Sequence, residues 1–440
     1  MDASTNPAVI NATDGDLVPT PDDRGSPKTR NLLGFGLLGL CNNLAYVVML
    51  SAAHDILKKQ GAENRTLSDS ATENASLPQH NSSGPYDCNP VSTAAVLLAD
   101  ILPTVLIKIS APFFIHKVPY GLRVLVCVAS AAVSFLLVSF SGSVWMSLMG
   151  VVFASVSSGL GELSFLSIMV FFSWHVLNGW GFGTGAAGVG GALLYSLFTQ
   201  VGLSPQVTLL TMLVFPVVMA LSYFLCLEFP TSFPQFREGG GLSAGSERQP
   251  LMIEDVEEEE GPGQEPKYSG VLTFKEKLLV LKELLRFIVP LGLVYFAEYF
   301  INQGLLELLY FPDFFLSHAE QYRWYQVLYQ VGVLVSRSSL CCIKIRKIWL
   351  LVCLQVANAV LLFLSVYWQL LPSAWAVFAI VSYEGLLGGA AYINTFHLIH
   401  EEMGDRQKEF AMAAASVGDS LGIALSAAAA FPVHRYFCSL

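Results

Sequence analysis

Eleven apolar stretches recur along the 440 residues, at roughly 32–53, 93–115, 122–141, 145–172, 177–200, 206–228, 285–310, 322–341, 347–370, 373–400 and 409–431. Each approaches or exceeds the length of about 20 residues that a helix needs to cross a bilayer. Only 13% of the chain is charged and 53% is hydrophobic, whereas a soluble domain carries about 25% charged residues. The pattern predicts an all-α polytopic membrane protein of about eleven transmembrane helices. A net charge of −10 does not imply a basic partner, because the run Glu254, Asp255 and Glu257 to Glu260 supplies much of it. Nothing points to nucleic acid. The polar N-terminus lacks a charged-then-apolar leader, so the first span is expected to serve as the targeting signal.

Orientation follows from lysine and arginine placement. With the N-terminus cytosolic, inside segments hold 18 of these residues and outside segments five, with Lys108 inside a span. Three N-x-S/T sequons, at Asn64, Asn74 and Asn81, fall in the loop 54–92, and glycosylation acceptors belong on the lumenal side. The expected organisation is a cytosolic tail (1–31), a six-helix half (32–228), a cytosolic linker (229–284), a five-helix half (285–431) and a short lumenal tail (432–440). The linker is rich in Pro, Gly, Ser and Glu, a disorder-prone composition. Its end, Phe274 to Arg286, alternates basic and apolar residues like an interfacial helix. Within it Glu247, Leu251 and Met252 form an acidic dileucine-like sorting signal that sorting adaptors would read.

The apolar run 285–310 contains a polar stripe, Tyr295, Glu298, Asn302 and Gln303, in VYFAEYFINQGL. Tyr295, Glu298 and Asn302 are spaced i, i+3, i+7 and share one helix face. A carboxylate at that depth costs roughly 2.5–3.5 kcal/mol on insertion scales, so it should face the bundle interior. The first span carries Asn42, Asn43 and Tyr46 in the corresponding place, and Glu162 in the fourth span corresponds to Glu384 in the tenth. Other ionisable residues inside spans are Asp100, Lys108 and Asp419. Asp100 and Lys108 lie about 12 Å apart along one helix, too far for a direct pair. Asp100, Lys108, Arg337 and Asp419 are the candidates for gating or coupling; the competing reading for Lys108 is snorkelling toward the cytosolic end, and Asp419 would help close a cytosolic gate. Arg323 and Tyr325, in QYRWYQ, sit at a lumenal mouth, either in the site or in an aromatic interface belt. Arg337 in SRSSL suits an inner gate or a structural ion pair.

Bland readings compete at several positions. Glu162 shares a stripe with Ser155 and Ser158, and Glu384 one with Gly388, Ala391 and Thr395; small-residue faces are also what close helix packing requires. The string Gly183-x-Gly185-x-x-Gly188 matches the dinucleotide pattern, but that pattern needs a βαβ unit, so helix packing is expected. No P-loop, HExxH or GxSxG occurs, and the eight cysteines show no metal-ligand spacing. Neither an enzyme nor a metal or cofactor site is expected.

Six spans, a long cytosolic loop and further spans resemble the plan of the major facilitator superfamily, whose two pseudo-symmetric halves rock about a midplane site. In that plan spans one, four, seven and ten line the cavity. The strings LLGLCNN, VSTAAVLLADILPT, VVFASVSSGLGE, VYFAEYFINQGL, EQYRWYQVLYQ, SRSSL and YEGLLGGAAYINTF resemble the battenin family of lysosomal membrane proteins. The resemblance runs from about Leu32 to Cys438. It implies a lysosomal and late-endosomal membrane protein that clears glycerophosphodiesters such as glycerophosphoglycerol. Cationic amino acid transport affecting lysosomal pH is one alternative, and an endolysosomal trafficking adaptor is another. The expected partners are a small solute, protons, membrane lipids and sorting adaptors.

Overall fold

A computed structural model describes residues 28–48, 93–230, 233, 272–437 and 439, and no strand occurs among them. Seven helical segments are long and apolar enough to cross a membrane. They are α1 (Lys28–Val48), α3 (Tyr120–Ser139), α4 (Val144–Ile168), the pair α6 (Pro205–Thr211) and α7 (Val214–Leu221), α10 (Ile348–Trp368), α11 (Ala374–Glu402), and the pair α12 (Asp405–Ala415) and α13 (Val417–Phe437). Four more helices carry the remaining stretches: α2 (Thr93–Ser110), α5 (Val176–Gln200), α8 (Phe274–Phe300) and α9 (His318–Ser338). The all-helical architecture expected from the apolar stretches is the one observed.

Packing follows a pseudo-two-fold plan. Within the first half α4 packs on α2 and α3, and within the second α11 packs on α9 and α13 on α8. Across the halves α2 meets α13, the second span against the eleventh, and α5 meets α9, the fifth against the eighth. A symmetry relating span n to span n+6 requires those two contacts to be equivalent. One buried core runs through the seam, joining Phe35, Leu166 and Trp180 to Leu291, Phe396 and Ile399.

Glycines set how closely α5 approaches its neighbours. A Cβ on Gly183 would collide with the Gly36 carbonyl oxygen of α1, and one on Gly185 would lie 2.8 Å from Leu334 Cα of α9. The dinucleotide-like string is thus a packing device that faces both ways. Gly190, on the same helix, has open space around it. Alanine there should stabilise by up to about 1 kcal/mol through helix propensity, whereas Gly183→Ala should destabilise by about 1–3 kcal/mol through overpacking. Melting of the two purified variants checks the opposite signs.

Three boundaries differ from the sequence expectation. Helix α8 begins at Phe274 and continues unbroken into the seventh span, so Phe274 to Arg286 is not a separate interfacial helix. The last helix runs to Phe437 and takes in much of the expected 432–440 tail, with Pro432 inside it. The seventh span is not uniform either: a π-turn, Ile301–Leu305, and a 3-10 turn, Leu306–Leu308, follow α8. The sequons Asn64, Asn74 and Asn81 and the sorting residues Glu247, Leu251 and Met252 lie outside the described residues.

The start of α8 has a built cap. Thr273 Oγ1 accepts from the Glu276 N–H at 3.4 Å, and Glu276 Oε2 accepts from the Thr273 N–H at 2.7 Å. Arg406 of α12 adds a 2.9 Å ion pair to Glu276. Hydrogen bonds from the Thr273 backbone and hydroxyl, then Arg406, hold the Glu276 carboxyl below its ordinary value of 4.5. Thr273→Ala should cost about 1 kcal/mol. The folded-state value is depressed, so the stabilising effect is complete above 4.5 and fades as pH falls through the lower folded value. The difference in melting temperature between wild type and variant should therefore shrink in acid without vanishing, because the bond from the Glu276 N–H to Thr273 Oγ1 does not titrate.

Candidate functional site

The π-turn shapes the first group of polar residues. It carries Asn302, whose Nδ2 donates to the Glu298 carbonyl at 3.2 Å and to Glu384 Oε1 of α11 at 3.0 Å. The Tyr329 hydroxyl of α9 donates to Glu298 Oε1. The carboxyl of Glu298 fills the place a Cβ would take on Gly388 of α11. Glu298, Asn302 and Glu384 are all at most 2% exposed. Glu298 Oε2, Glu384 Oε2 and Asn302 Oδ1 are buried with no hydrogen-bond partner. This cluster lies within the second half and is short of donors. Gln303 is half-buried beside it.

One turn earlier on α8, the Tyr295 hydroxyl accepts from Arg337 Nη2 of α9 at 2.9 Å. The guanidinium carbon lies 4.3 Å from the Tyr392 ring centre of α11, a cation–π arrangement. No carboxylate pairs with Arg337 among the described residues. The expected ion pair at Arg337 is therefore corrected: of the carboxylates in this region, Glu298 takes the Tyr329 hydroxyl, and Glu162 and Asp419 are already engaged elsewhere.

They are engaged by Lys108. Its ammonium donates to Glu162 Oε2 at 2.7 Å, to Asp419 Oδ1 at 3.1 Å and Oδ2 at 3.2 Å, and to Ser420 Oγ at 2.8 Å. Lys108 is 1% exposed, so the snorkelling expectation is corrected. Two carboxylates and a hydroxyl already serve the ammonium inside the bundle, and a route to the surface would break all three contacts. Glu162 also accepts from the Tyr392 hydroxyl at 2.6 Å, and that hydroxyl accepts from Trp180 Nε1 at 3.2 Å. A chain of polar contacts thus crosses from α2, α4 and α5 to α13, α11, α9 and α8.

Other cross-half contacts sit at the same end. The Tyr120 hydroxyl donates to Glu409 Oε1 at 2.5 Å, and Lys277 Nζ to the Phe113 carbonyl at 2.8 Å. The Trp174 and His397 rings lie 5.5 Å apart. These residues end even-numbered spans or begin odd-numbered ones, so all occupy one end of the bundle.

The first half contributes less direct contacts. Asn42 Nδ2 donates to the Ser158 carbonyl and to Asn43 Oδ1, each at 3.2 Å. The Tyr46 and Tyr299 hydroxyls interact across the halves. Asp100 is 1% exposed, and both its carboxylate oxygens lack a partner among the described residues. Arg323 and Tyr325 are not brought into this group. Arg323 is exposed, and Tyr325 is buried against Phe378 with its hydroxyl on the Leu309 carbonyl. A two-residue step, about 200° round α9, sends Arg323 outward and leaves Tyr325 as core packing. The sequence reading missed Tyr329, Tyr392 and Trp180, since an aromatic residue in an apolar run carries no mark of its hydroxyl or N–H partner.

Comparisons with known proteins agree with this architecture. The CLN3 protein family profile matches residues 33–440. Battenin from the dog, Canis lupus familiaris, is 54% identical over 412 residues, covering 93% of this chain and 92% of its own. Protein BTN1 of Yarrowia lipolytica is 38% identical over 402 residues, covering 89% and 90%. Among solved structures, the human organic anion transporter MFSD10 superposes with a TM-score of 0.58 at 16% identity, covering 94% of this chain and 95% of its own. A bacterial homologue of the human lysosomal transporter Spinster, inward-facing and unoccupied, gives 0.50 at 13% identity, covering 92% and 82%. These two likenesses establish a shared major-facilitator-like fold. The family match spans nearly the whole chain, and the chain belongs to the CLN3 (battenin) family.

Proposed function

We propose that this chain is a vertebrate battenin acting as a lysosomal and late-endosomal carrier, which moves a small polar solute by alternating access between its two halves. The observation that carries the reading is Lys108, buried and shared between Glu162 of the first half and Asp419 of the second. A cation that pins two halves at one end is what a carrier must release to open that end. The basic loops support a cytosolic place for that end, and on this reading the N-terminus is cytosolic, the C-terminus lumenal and the loop 54–92 glycosylated. The favoured solute is a glycerophosphodiester such as glycerophosphoglycerol, a choice that rests on the family resemblance. The description of MFSD10 as an organic anion transporter is compatible with it.

A second reading, transport of arginine or lysine, is favoured by the unpartnered buried oxygens of Asp100, Glu298 and Glu384, which would accept from an ammonium or guanidinium group. The third, a trafficking adaptor, places the activity in the linker. Uptake of radiolabelled glycerophosphoglycerol, arginine and lysine by protein reconstituted in vesicles separates the first two. Deleting 232–268 should leave uptake intact while altering delivery to lysosomes. Uptake of neither solute class, with trafficking lost on that deletion, would overturn the carrier reading.

A further inference from the structure

A half-buried guanidinium between membrane helices, with no carboxylate hydrogen-bonded to it among the described residues, is costly unless something else meets its charge. Arg337 is in that position. It has five N–H donors, yet its side chain makes one hydrogen bond, from Nη2 to the Tyr295 hydroxyl. Its Nε is buried and has no partner. The two carboxylates whose charge reaches it form no bond to it: Glu162 closes on Lys108, and Glu298 Oε1 takes the Tyr329 hydroxyl.

The surroundings hold the group in place. The Tyr392 ring lies under the guanidinium at 4.3 Å, and the Tyr392 hydroxyl is tied to Glu162 and Trp180 of the other half. Gly181 of α5 lets that helix close on Arg337: a Cβ there would stand 2.7 Å from the Arg337 carbonyl. The charge is thus fixed at the seam between the halves, with its plane set by a ring and most of its donors unused.

We propose that Arg337, with Tyr295 and Tyr392, is an anion seat that takes the phosphate of a phosphodiester. This rests on the carrier reading above and assigns the part of the solute that Arg337 holds. A guanidinium presents paired N–H groups that match two oxygens of one phosphate. The Tyr295 hydroxyl accepts from Arg337 and keeps its own hydrogen to donate to a phosphate oxygen. One available cation suits the single charge of a diester better than the double charge of a monoester, because Lys108 is already committed to two carboxylates. Glu298, three residues on from Tyr295, lies about 4.5 Å further along the helix axis. There Glu298 Oε2 and Asn302 Oδ1 lack donors, and the hydroxyls of a glycerol arm would supply them.

The test uses the full chain, purified in phosphatidylcholine nanodiscs. Binding of glycerophosphoglycerol, dimethyl phosphate and glycerol 3-phosphate would be measured by calorimetry. Arg337→Gln should weaken both diesters by about 10- to 100-fold, the range for a charged hydrogen bond. Arg337→Lys keeps the charge but not the paired geometry, so it should bind diesters with intermediate affinity and lose the preference for diester over monoester. Tyr295→Phe should weaken diesters about fivefold, the range for one hydrogen bond. If Arg337→Gln does not fold, Arg337→Lys decides: an unchanged affinity and unchanged diester preference overturn the seat. Wild-type uptake of glycerophosphoglycerol with unaltered binding in Arg337→Gln overturns the seat and leaves the carrier reading standing. Dimethyl phosphate binding that depends on Arg337, without glycerophosphoglycerol uptake, supports the seat and overturns that solute. Phosphatidylglycerol in the nanodisc displacing the soluble diesters would give the seat to a lipid headgroup and overturn the soluble assignment.

Discussion

Lys108→Met is expected to destabilise the protein by roughly 3–5 kcal/mol, the cost of removing one partner from a buried ion pair. The effect should be large because the substitution strands two groups. Glu162 and Asp419 would remain buried and charged with Ser420 and Tyr392 as their nearby donors. The ammonium also lies between three helices, α2, α4 and α13, so its loss loosens the contact between halves as well as within one. Melting of the purified variant should fall by several degrees, and uptake should be abolished. Adding Glu162→Gln and Asp419→Asn removes the stranded charges and should restore much of the lost melting temperature, since neutral replacement of a whole buried ionic group is often tolerated. Uptake should stay lost, because the charged contact that opens and closes is gone. A Lys108→Met protein that melts like wild type would show that the ammonium does not hold the halves together.

The all-helical architecture was legible because each apolar stretch is a local signal, readable from about 20 consecutive residues. The role of Gly183, Gly185 and Gly188 was legible for the same reason: glycines inside an apolar helix mark close approach whatever the partner. The partners of Lys108 were not. They lie 54 and 311 residues away, and helical periodicity says nothing about which distant helix comes alongside. The reading of Arg337 failed by extension, because an ion pair was expected where the nearby carboxylates were already taken. The π-turn at Ile301–Leu305 was also invisible. Its residues, INQGL, fit a continuing helix, and the extra residue in the turn follows from packing against α10, α13 and Ala430 rather than from local preference. Tyr295, Glu298 and Asn302 were placed on one face by spacing alone, and the structure brings them against α9 and α11. The choice of Arg323 and Tyr325 rested on residue type near a lumenal mouth instead, and residue type does not say which side of the helix faces the bundle.

Glu298→Gln is expected to transport with its pH dependence removed, while Glu298→Lys should not transport at all. Four carboxylate oxygens of Glu298 and Glu384 are served by two side-chain donors, the Tyr329 hydroxyl and Asn302 Nδ2. Oε2 of each glutamate is left without one. A proton on one carboxyl turns an acceptor into a donor and eases the shortage, and its departure restores it. We propose that Glu298 takes up that proton when the site faces an acidic lumen and gives it up toward the cytosol, so that the packing of α8 on α9 and α11 differs between the two states. Glutamine keeps the shape and carries a permanent donor, which imitates the protonated form. The variant should reach the lysosome, retain solute binding, and show a flat pH–rate profile. Lysine adds length where the Glu298 carboxyl already fills the space above Gly388. It also sets an ammonium against the Tyr329 hydroxyl, replacing an acceptor with a donor in a cluster fixed around an acceptor. Uptake in proteoliposomes across a range of lumenal pH, with the internal pH held, measures both effects. A Glu298→Gln protein with the wild-type rate and the wild-type pH profile would mean that Glu298 only joins α8 to α9, and the proton must then be sought at Asp100, whose two oxygens are also buried without partners.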